Sequence, residues 1–171
     1  MKPLTLSILI LLTACGRNES QDVTQVETVQ AVETETTQDK IKALALQNGF
    51  EATDAVADAI DKASKAFDVD ALQLTAIGII ESGLGKNAVT HKNKNGTHDK
   101  GVFQINTVNW PKCKEFHIET LQGNAFCAAK LLSQIKMRKP SDLGKYHSKT
   151  PSKKIAYFAK LTKVLSSASD K

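Results

Sequence analysis

The chain has 171 residues, a formal charge of +5, 41% hydrophobic and 5% aromatic residues, and three cysteines. That length supports one compact domain with an extension and is too short for two comfortable ones. A basic balance favours anionic partners, but aromatics are sparse and no nucleic-acid-binding signature is present, so nucleic acid is not an expected partner.

The first fourteen residues read as an export signal. Lys2 gives the positive start, residues 4–12 form a short apolar core, and Leu12-Thr13-Ala14 places small residues before Cys15. The run is too short to span a bilayer as a helix. A cysteine at that point resembles the acceptor of bacterial lipoproteins, so Cys15 is expected to become the lipidated first residue of the mature chain. An ordinary cleaved signal with an incidental cysteine is the alternative. Gly16, in place of an acidic residue, leans toward the outer membrane over the inner one.

Residues 15–40 read as a lipid-anchored linker. They are rich in Glu, Thr, Gln and Val, with Arg17 facing Glu19, Asp22, Glu27, Glu33, Glu35 and Asp39. Such a stretch buries too little apolar surface to offset its ordering entropy. Val23, Val26, Val29 and Val32 recur every third position and leave a weak helix open.

Residues 41–171 are the expected domain. They hold 20 of the 23 Lys and Arg but only 12 of the 18 Asp and Glu, so the domain is basic while the linker is acidic. Val56, Ile60, Ala63 and Phe67 share one helical face behind a Thr53 N-cap. Asp58 with Lys62, and Asp61 with Lys65, are i,i+4 pairs expected on the solvent side. The next helix starts near Asp70 and runs to Glu81. It is apolar nearly all round, so it should be central, and Gly83 and Gly85 suit its exit. Residues 86–100 read as a polar loop, with a turn at Asn95-Gly96. Residues 102–105 read as a short strand or extended segment. Leu121, Ala125, Ala128, Leu132 and Ile135 predict a helix that Pro140 should stop. Thr150-Pro151 opens the last helix, which continues through Ile155, Phe158, Ala159, Thr162 and Leu165.

Cys113 and Cys127, as a pair in an exported domain, read as a disulfide. With the scattered histidines they match no structural zinc pattern. Asn93, Asn95 and Asp99 lack the full loop and terminal Glu of a calcium site and read as turn chemistry. No metal or cofactor is expected.

Glu81 carries the functional signal. A carboxylate closing a buried apolar run is partly desolvated, which raises its pKa. A Glu held protonated near neutrality is what a general acid needs to protonate a sugar leaving group. Glu81-Ser82-Gly83, then Asn93-Lys94-Asn95-Gly96-Thr97-His98-Asp99-Lys100-Gly101-Val102-Phe103-Gln104-Ile105-Asn106, then Tyr146-His147-Ser148 resemble, in order and spacing, the lytic transglycosylases with a goose-type lysozyme fold. The nearest flavour is that of the small peptidoglycan-cleaving enzymes associated with bacterial secretion and conjugation machines. The resemblance spans about residues 57–164. Phe103 departs from it, standing where the family has Met, and Trp110 follows Asn106 as in several secretion-associated members.

The resemblance implies a mainly α, lysozyme-like single domain with a small irregular or short-strand segment, preceded by a flexible tether. It implies cleavage of the β-1,4 bond between N-acetylmuramic acid and N-acetylglucosamine, with formation of a 1,6-anhydromuramic end. Glu81 would act first as acid and then as base. Ser82, Phe103, Gln104, Asn106 and Tyr146 would bind substrate, with the Tyr146 hydroxyl near Glu81. One carboxylate suffices for this reaction, because the nucleophile belongs to the substrate and intramolecular attack has a high effective molarity; no second acid lies near Glu81 in sequence, and Asp99 falls in the polar loop. Simpler roles remain open: Ser82 as a cap, Gln104 as a surface amide, Asn106 as an N-cap and Tyr146 as a core aromatic. A hydrolytic muramidase and a non-catalytic wall-binding assembly protein are the alternatives.

The expected partners are peptidoglycan strands, a membrane reached through the lipid anchor, and a secretion, conjugation or pilus machine. The expected location is the periplasmic face of a membrane. Cys15→Ser should shift the protein from the membrane to the soluble fraction on cell fractionation; unchanged membrane association would refute lipidation.

Overall fold

The computed structural model describes residues 34–88 and 90–167. Cys15, the signal and most of the linker lie outside the described residues. The remainder is mainly helical, with five α-helices, two 3₁₀ segments and a small three-stranded antiparallel sheet. Among the described residues no helix is long and apolar enough to cross a membrane.

Helix α1 spans Thr37–Gln47, so it takes in residues the sequence suggested for the linker. Its start is fixed by a reciprocal cap: Thr36 Oγ1 accepts from Asp39 N, and the Asp39 carboxylate accepts from Thr36 N. This is the capping-box logic with Asp at the third helical position. Ile41, Leu44 and Ala45 face the core. Helix α2, Asp54–Phe67, starts at the expected Thr53 cap, whose hydroxyl accepts from Val56 N. Both expected i,i+4 ion pairs form on α2, but Asp61 is buried and not on the solvent side.

Helix α3, Ala71–Ser82, begins at the Asp70 cap and ends at Gly83, in the left-handed conformation. Leu74, Thr75, Ala76 and Ile77 are fully buried, and α1, α2 and α5 all pack around the helix. The sequence expectation of a central helix holds.

The polar stretch after α3 is not a plain loop. His91–Lys92 (β1) pairs with His98–Lys100 (β2) across the Asn95-Gly96 turn, and β2 pairs with Ile105–Asn106 (β3). The register sets His91 opposite Asp99 and Asp99 opposite Asn106. Residues 101–104 form a turn, so the expected strand shrinks to Ile105–Asn106.

A 3₁₀ segment, Thr107–Cys113, leads toward α4, Leu121–Ser133. α4 ends seven residues before Pro140, which opens a second 3₁₀ segment, Pro140–Tyr146, rather than stopping a helix. Helix α5, Pro151–Ser166, starts where expected, although the Thr150 side chain makes no capping bond. Its buried stripe is Tyr157, Leu161 and Val164, while Ile155 is exposed.

The Cys113–Cys127 disulfide forms and ties the first 3₁₀ segment to α4. A loop of 14 residues gives about 3 kcal/mol of stabilisation by loop closure. The double substitution Cys113→Ser with Cys127→Ser should therefore lower Tm by about 10 °C for a domain of this size, read by thermal melts followed by circular dichroism. An unchanged Tm would show that the cross-link contributes no net stability.

Candidate active site

Glu81 sits in the last turn of α3, where the buried helix meets the surface, and lines a cavity of about 550 Å³. Only 16% of its side chain is exposed. Burial pushes its carboxyl up from the ordinary 4.5 to about 6; a hydrogen bond from Tyr157 opposes the rise, nearby Asp99 adds to it and Lys160 subtracts. The Tyr157 hydroxyl donates to Glu81 Oε1 at 2.6 Å. His147 places Nδ1 4.0 Å from the same oxygen. Burial, with Lys160 and Lys153 nearby, lowers the imidazole pKa, so near neutrality it is a neutral ring beside a carboxyl and forms no ion pair.

The opposite wall comes from the sheet. Asp99 on β2 lines the same cavity, so the polar loop delivers a second carboxylate that linear sequence did not place near Glu81. Its Oδ2 accepts from Asn93 Nδ2 at 2.8 Å and its Oδ1 from Asn106 Nδ2 at 2.7 Å. Thr97 Oγ1 accepts from both amides. This lattice holds the Asp99 side chain at one rotamer through the antiparallel register.

The residues suggested for substrate binding separate into two groups. Gln104 and Tyr146 line the cavity. Gln104 holds φ +45, unusual for a residue with a side chain, and its Nε2 donates to Gly101 O. The Tyr146 hydroxyl donates to Phe103 O at 3.2 Å, so the direct bond to Glu81 comes from Tyr157 instead. Asn106 lines the cavity too, but it caps the 3₁₀ segment through Val108 N and holds Asp99. Ser82 and Phe103 do not line it. Ser82 is buried and donates to Val102 O while accepting from Gly85 N. Phe103 is fully buried in the core, because an apolar ring gains more by packing on α3 than by facing a wet cleft.

Two tethers set this geometry. Asn124, buried in α4, accepts from Phe103 N and donates to Lys100 O and Ile118 O. Gly101, at φ +76, passes so close that a Cβ would fall 2.4 Å from the Asn124 amide. Asp142, in the second 3₁₀ segment, pairs with Lys145 and with Lys154 of α5 and accepts from Arg138 N, which holds its carboxyl well below the usual range. Gly144 lets that segment approach α5, since a Cβ there would meet the Lys154 carbonyl at 2.1 Å.

Tyr157, His147 and Asp99 are the site residues that sequence reasoning did not assign. Tyr157 lay on a helical face passed over for that of Ile155 and Phe158. His147 lay inside the quoted Tyr146-His147-Ser148 motif. Asp99 becomes a site residue only through strand pairing.

A raised carboxyl pKa costs stability in a defined window. The folded state holds its proton up to about pH 6 while the unfolded chain loses it near 4.5, so stability falls as pH rises between those values. Glu81→Gln should be as stable as the wild type below pH 4 and more stable by about 2 kcal/mol above pH 6.5. Thermal melts across that range test this, and a difference that does not grow with pH would refute it.

No known family profile matches the chain, and no solved structure matches it. Protein IpgF of Shigella flexneri is 35% identical over 107 residues, a match covering 57% of this chain and 70% of that protein. With that identity over more than two thirds of the relative, the chain belongs to the family of Protein IpgF.

Proposed function

We propose that the protein is a peptidoglycan lytic transglycosylase with a lysozyme-like domain. The observation that carries the reading is Glu81: a carboxyl titrating near 6, at the end of a buried helix, on the edge of a cavity lined by amides and a second carboxylate. A general acid works best when its pKa lies near the operating pH.

In the first step Glu81 gives its proton to the glycosidic oxygen between N-acetylmuramic acid and N-acetylglucosamine, and the C1–O bond breaks. Positive charge then develops at the muramic C1 and ring oxygen. Asp99, locked by Asn93 and Asn106, is the fixed negative group that stabilises this charge; such preorganised electrostatics need no reorganisation during reaction. In the second step the Glu81 carboxylate takes the proton of the muramic C6 hydroxyl, whose oxygen bonds to C1. Glu81 is protonated again, and the product carries a 1,6-anhydro ring. Gln104, Asn95 and Asn109 offer amides around the cavity, suited to N-acetyl and hydroxyl groups, while Ile105, Val108 and Leu131 provide apolar contact.

Asp99 also supports a second reading, a hydrolytic muramidase on the same scaffold. Paired carboxylates across a cleft are the usual glycosidase arrangement, and a water held against Asp99 would replace the C6 hydroxyl as nucleophile. The two reactions share their first step and differ only in what attacks C1.

The setting follows the same logic. Lipidation at Cys15 and the acidic linker would hold a basic domain beside the anionic wall, at the periplasmic face of a membrane. There it would open local gaps for a secretion, conjugation or pilus machine.

Mass spectrometry of products released from purified peptidoglycan tests the proposal. Wild type should release anhydro-muropeptides, each lighter by one water than its hydrolytic counterpart. Glu81→Gln should lower release by about 10²-fold or more, the lower range of general acid catalysis. Reducing-end products would select the muramidase. Undiminished release by Glu81→Gln would remove Glu81 from the mechanism.

A further inference from the structure

Two kinds of lysine neighbour the cavity. Lys145 and Lys154 are both committed to Asp142. Lys94 and Lys153 line the cavity itself, are exposed, and form no ion pair among the described residues. They come from separate elements. Lys94 lies in the turn that joins β1 to β2, between Asn93 and Asn95. Lys153 lies in the first turn of α5, and it shares a helical face with Tyr157 and Lys160 by their i, i+4, i+7 spacing. Its charge reaches the catalytic end: with Lys160 it helps to lower the pKa of His147, whose Nδ1 is 4.0 Å from Glu81.

A neutral glycan gives an ammonium group little to hold. Its hydroxyl and N-acetyl groups are matched by amides, whereas lysine is a compact point charge that gains most from an anion. The cavity does not supply that anion from within. Both oxygens of Asp99 are engaged by Asn93 and Asn106, and Glu81 accepts from Tyr157. A muramic residue differs from its neighbour sugar by a lactyl ether at C3, which ends in a carboxylate or carries a peptide stem with carboxylates of its own. We propose that Lys94 and Lys153 are specificity-determining residues that pair with carboxylates on the muramic side arm, so that the cleft selects carboxylate-bearing strands over neutral glycan of the same backbone. The inference rests on the reading of the cavity as a glycan cleft and adds which chemical feature of the strand it selects.

The order of depth fits this assignment. The two lysines are exposed, while Glu81 and Asp99 are each partly buried. Positive charge therefore stands at the mouth and the carboxyl groups stand deeper. A strand whose scissile bond reaches Glu81 keeps its side arms at the mouth, where an anion meets a cation and is kept from Asp99. Pairs formed there remain in contact with water, so each contributes modestly to affinity, and their main effect is to discriminate between charged and neutral strands.

The test is an NMR binding titration of the full-length protein carrying Glu81→Gln, which prevents turnover and leaves both lysines in place. The ligands are a wall tetrasaccharide with its peptide stems, the same compound with its carboxylates converted to amides by carbodiimide and ammonia, and the tetrasaccharide stripped by an amidase, which retains the lactyl carboxylates alone. Amidation should raise Kd about tenfold. Lys94→Gln and Lys153→Gln should each raise Kd for the carboxylated ligand about threefold, within the range of exposed ion pairs, and leave Kd for the amidated ligand unmoved; the double variant should show no preference. A stripped ligand that binds like the intact one assigns the pairing to the lactyl carboxylate, and one that binds like the amidated ligand assigns it to the stem. Equal Kd for intact and amidated ligands overturns the proposal, and so does a preference that persists in the double variant. With Glu81 restored, the double variant should raise KM for peptidoglycan and leave kcat little changed. Binding needs no turnover, so selective binding by a protein that releases no muropeptides would sink the transglycosylase reading and leave the two lysines standing, while release without selectivity would do the reverse.

Discussion

The burial of α3 is the constraint on which this domain depends. The helix is apolar on nearly every side, so it can be stable only at the centre, with α1, α2 and α5 packed around it. Burying fully a Leu or Ile side chain is worth about 1.5–3 kcal/mol, and Leu74 and Ile77 are both fully buried. Glu81 follows as the last acidic group of a helix that cannot be lifted out. It is drawn partly from water by the packing of its neighbours, and the rise in its pKa is the electrostatic consequence. The raised carboxyl is thus a by-product of core packing, and it borders the cavity that opens at the end of the helix.

Around that end, polar tethers convert a stable core into a defined site. Asn124 satisfies one backbone donor and two carbonyls in the region where β2 gives way to the turn at residues 101–104. Without it, buried backbone groups would lack partners at a cost of about 1–3 kcal/mol each. Asp142 joins the 3₁₀ segment that carries Tyr146 to the helix that carries Tyr157. Ion pairs with little exposure give modest net stability, since desolvation offsets attraction. Their value here is geometric: Asp142 with Lys154 and Gly144 hold the two tyrosines in one register over Glu81.

Local signals are legible in the sequence, and pairings between distant segments are not. The cap at Thr53, the helix start near Asp70, the exit at Gly83 and the start at Pro151 each depend on a few adjacent residues, and each stands where expected. The start of α1 had an equally local signal, Thr36 with Asp39, but the polar stretch around it resembled the linker. The α5 stripe failed for a different reason: Ile155, Phe158 and Leu165 form a face as plausible by period as Tyr157, Leu161 and Val164, and only the packing partner decides between them. Strands of two or three residues carry too little alternation to be seen, so the register that brings Asp99 against Asn106 was invisible. The burial of Phe103 is not legible in its motif, because position in a motif does not state which way a side chain points.

Among the described residues three non-glycine positions hold a positive φ, Asp68, Leu84 and Gln104, and of these Gln104 lines the cavity. Gln104 sits at φ +45, a conformation costing about 1–3 kcal/mol for such a residue. Glu81 is desolvated, and Asp99 raises its pKa further. These terms all work against folding, and they persist only because the surrounding structure over-determines them. The disulfide is part of that surplus, and its place in the chain is informative. Cys127 lies one helical turn after Asn124 on α4, so the cross-link fastens the same helix that holds the turn bearing Gln104. Stability is therefore concentrated on the element that the strained part of the site leans on, where any loosening would first reach the position of Gln104 opposite Glu81.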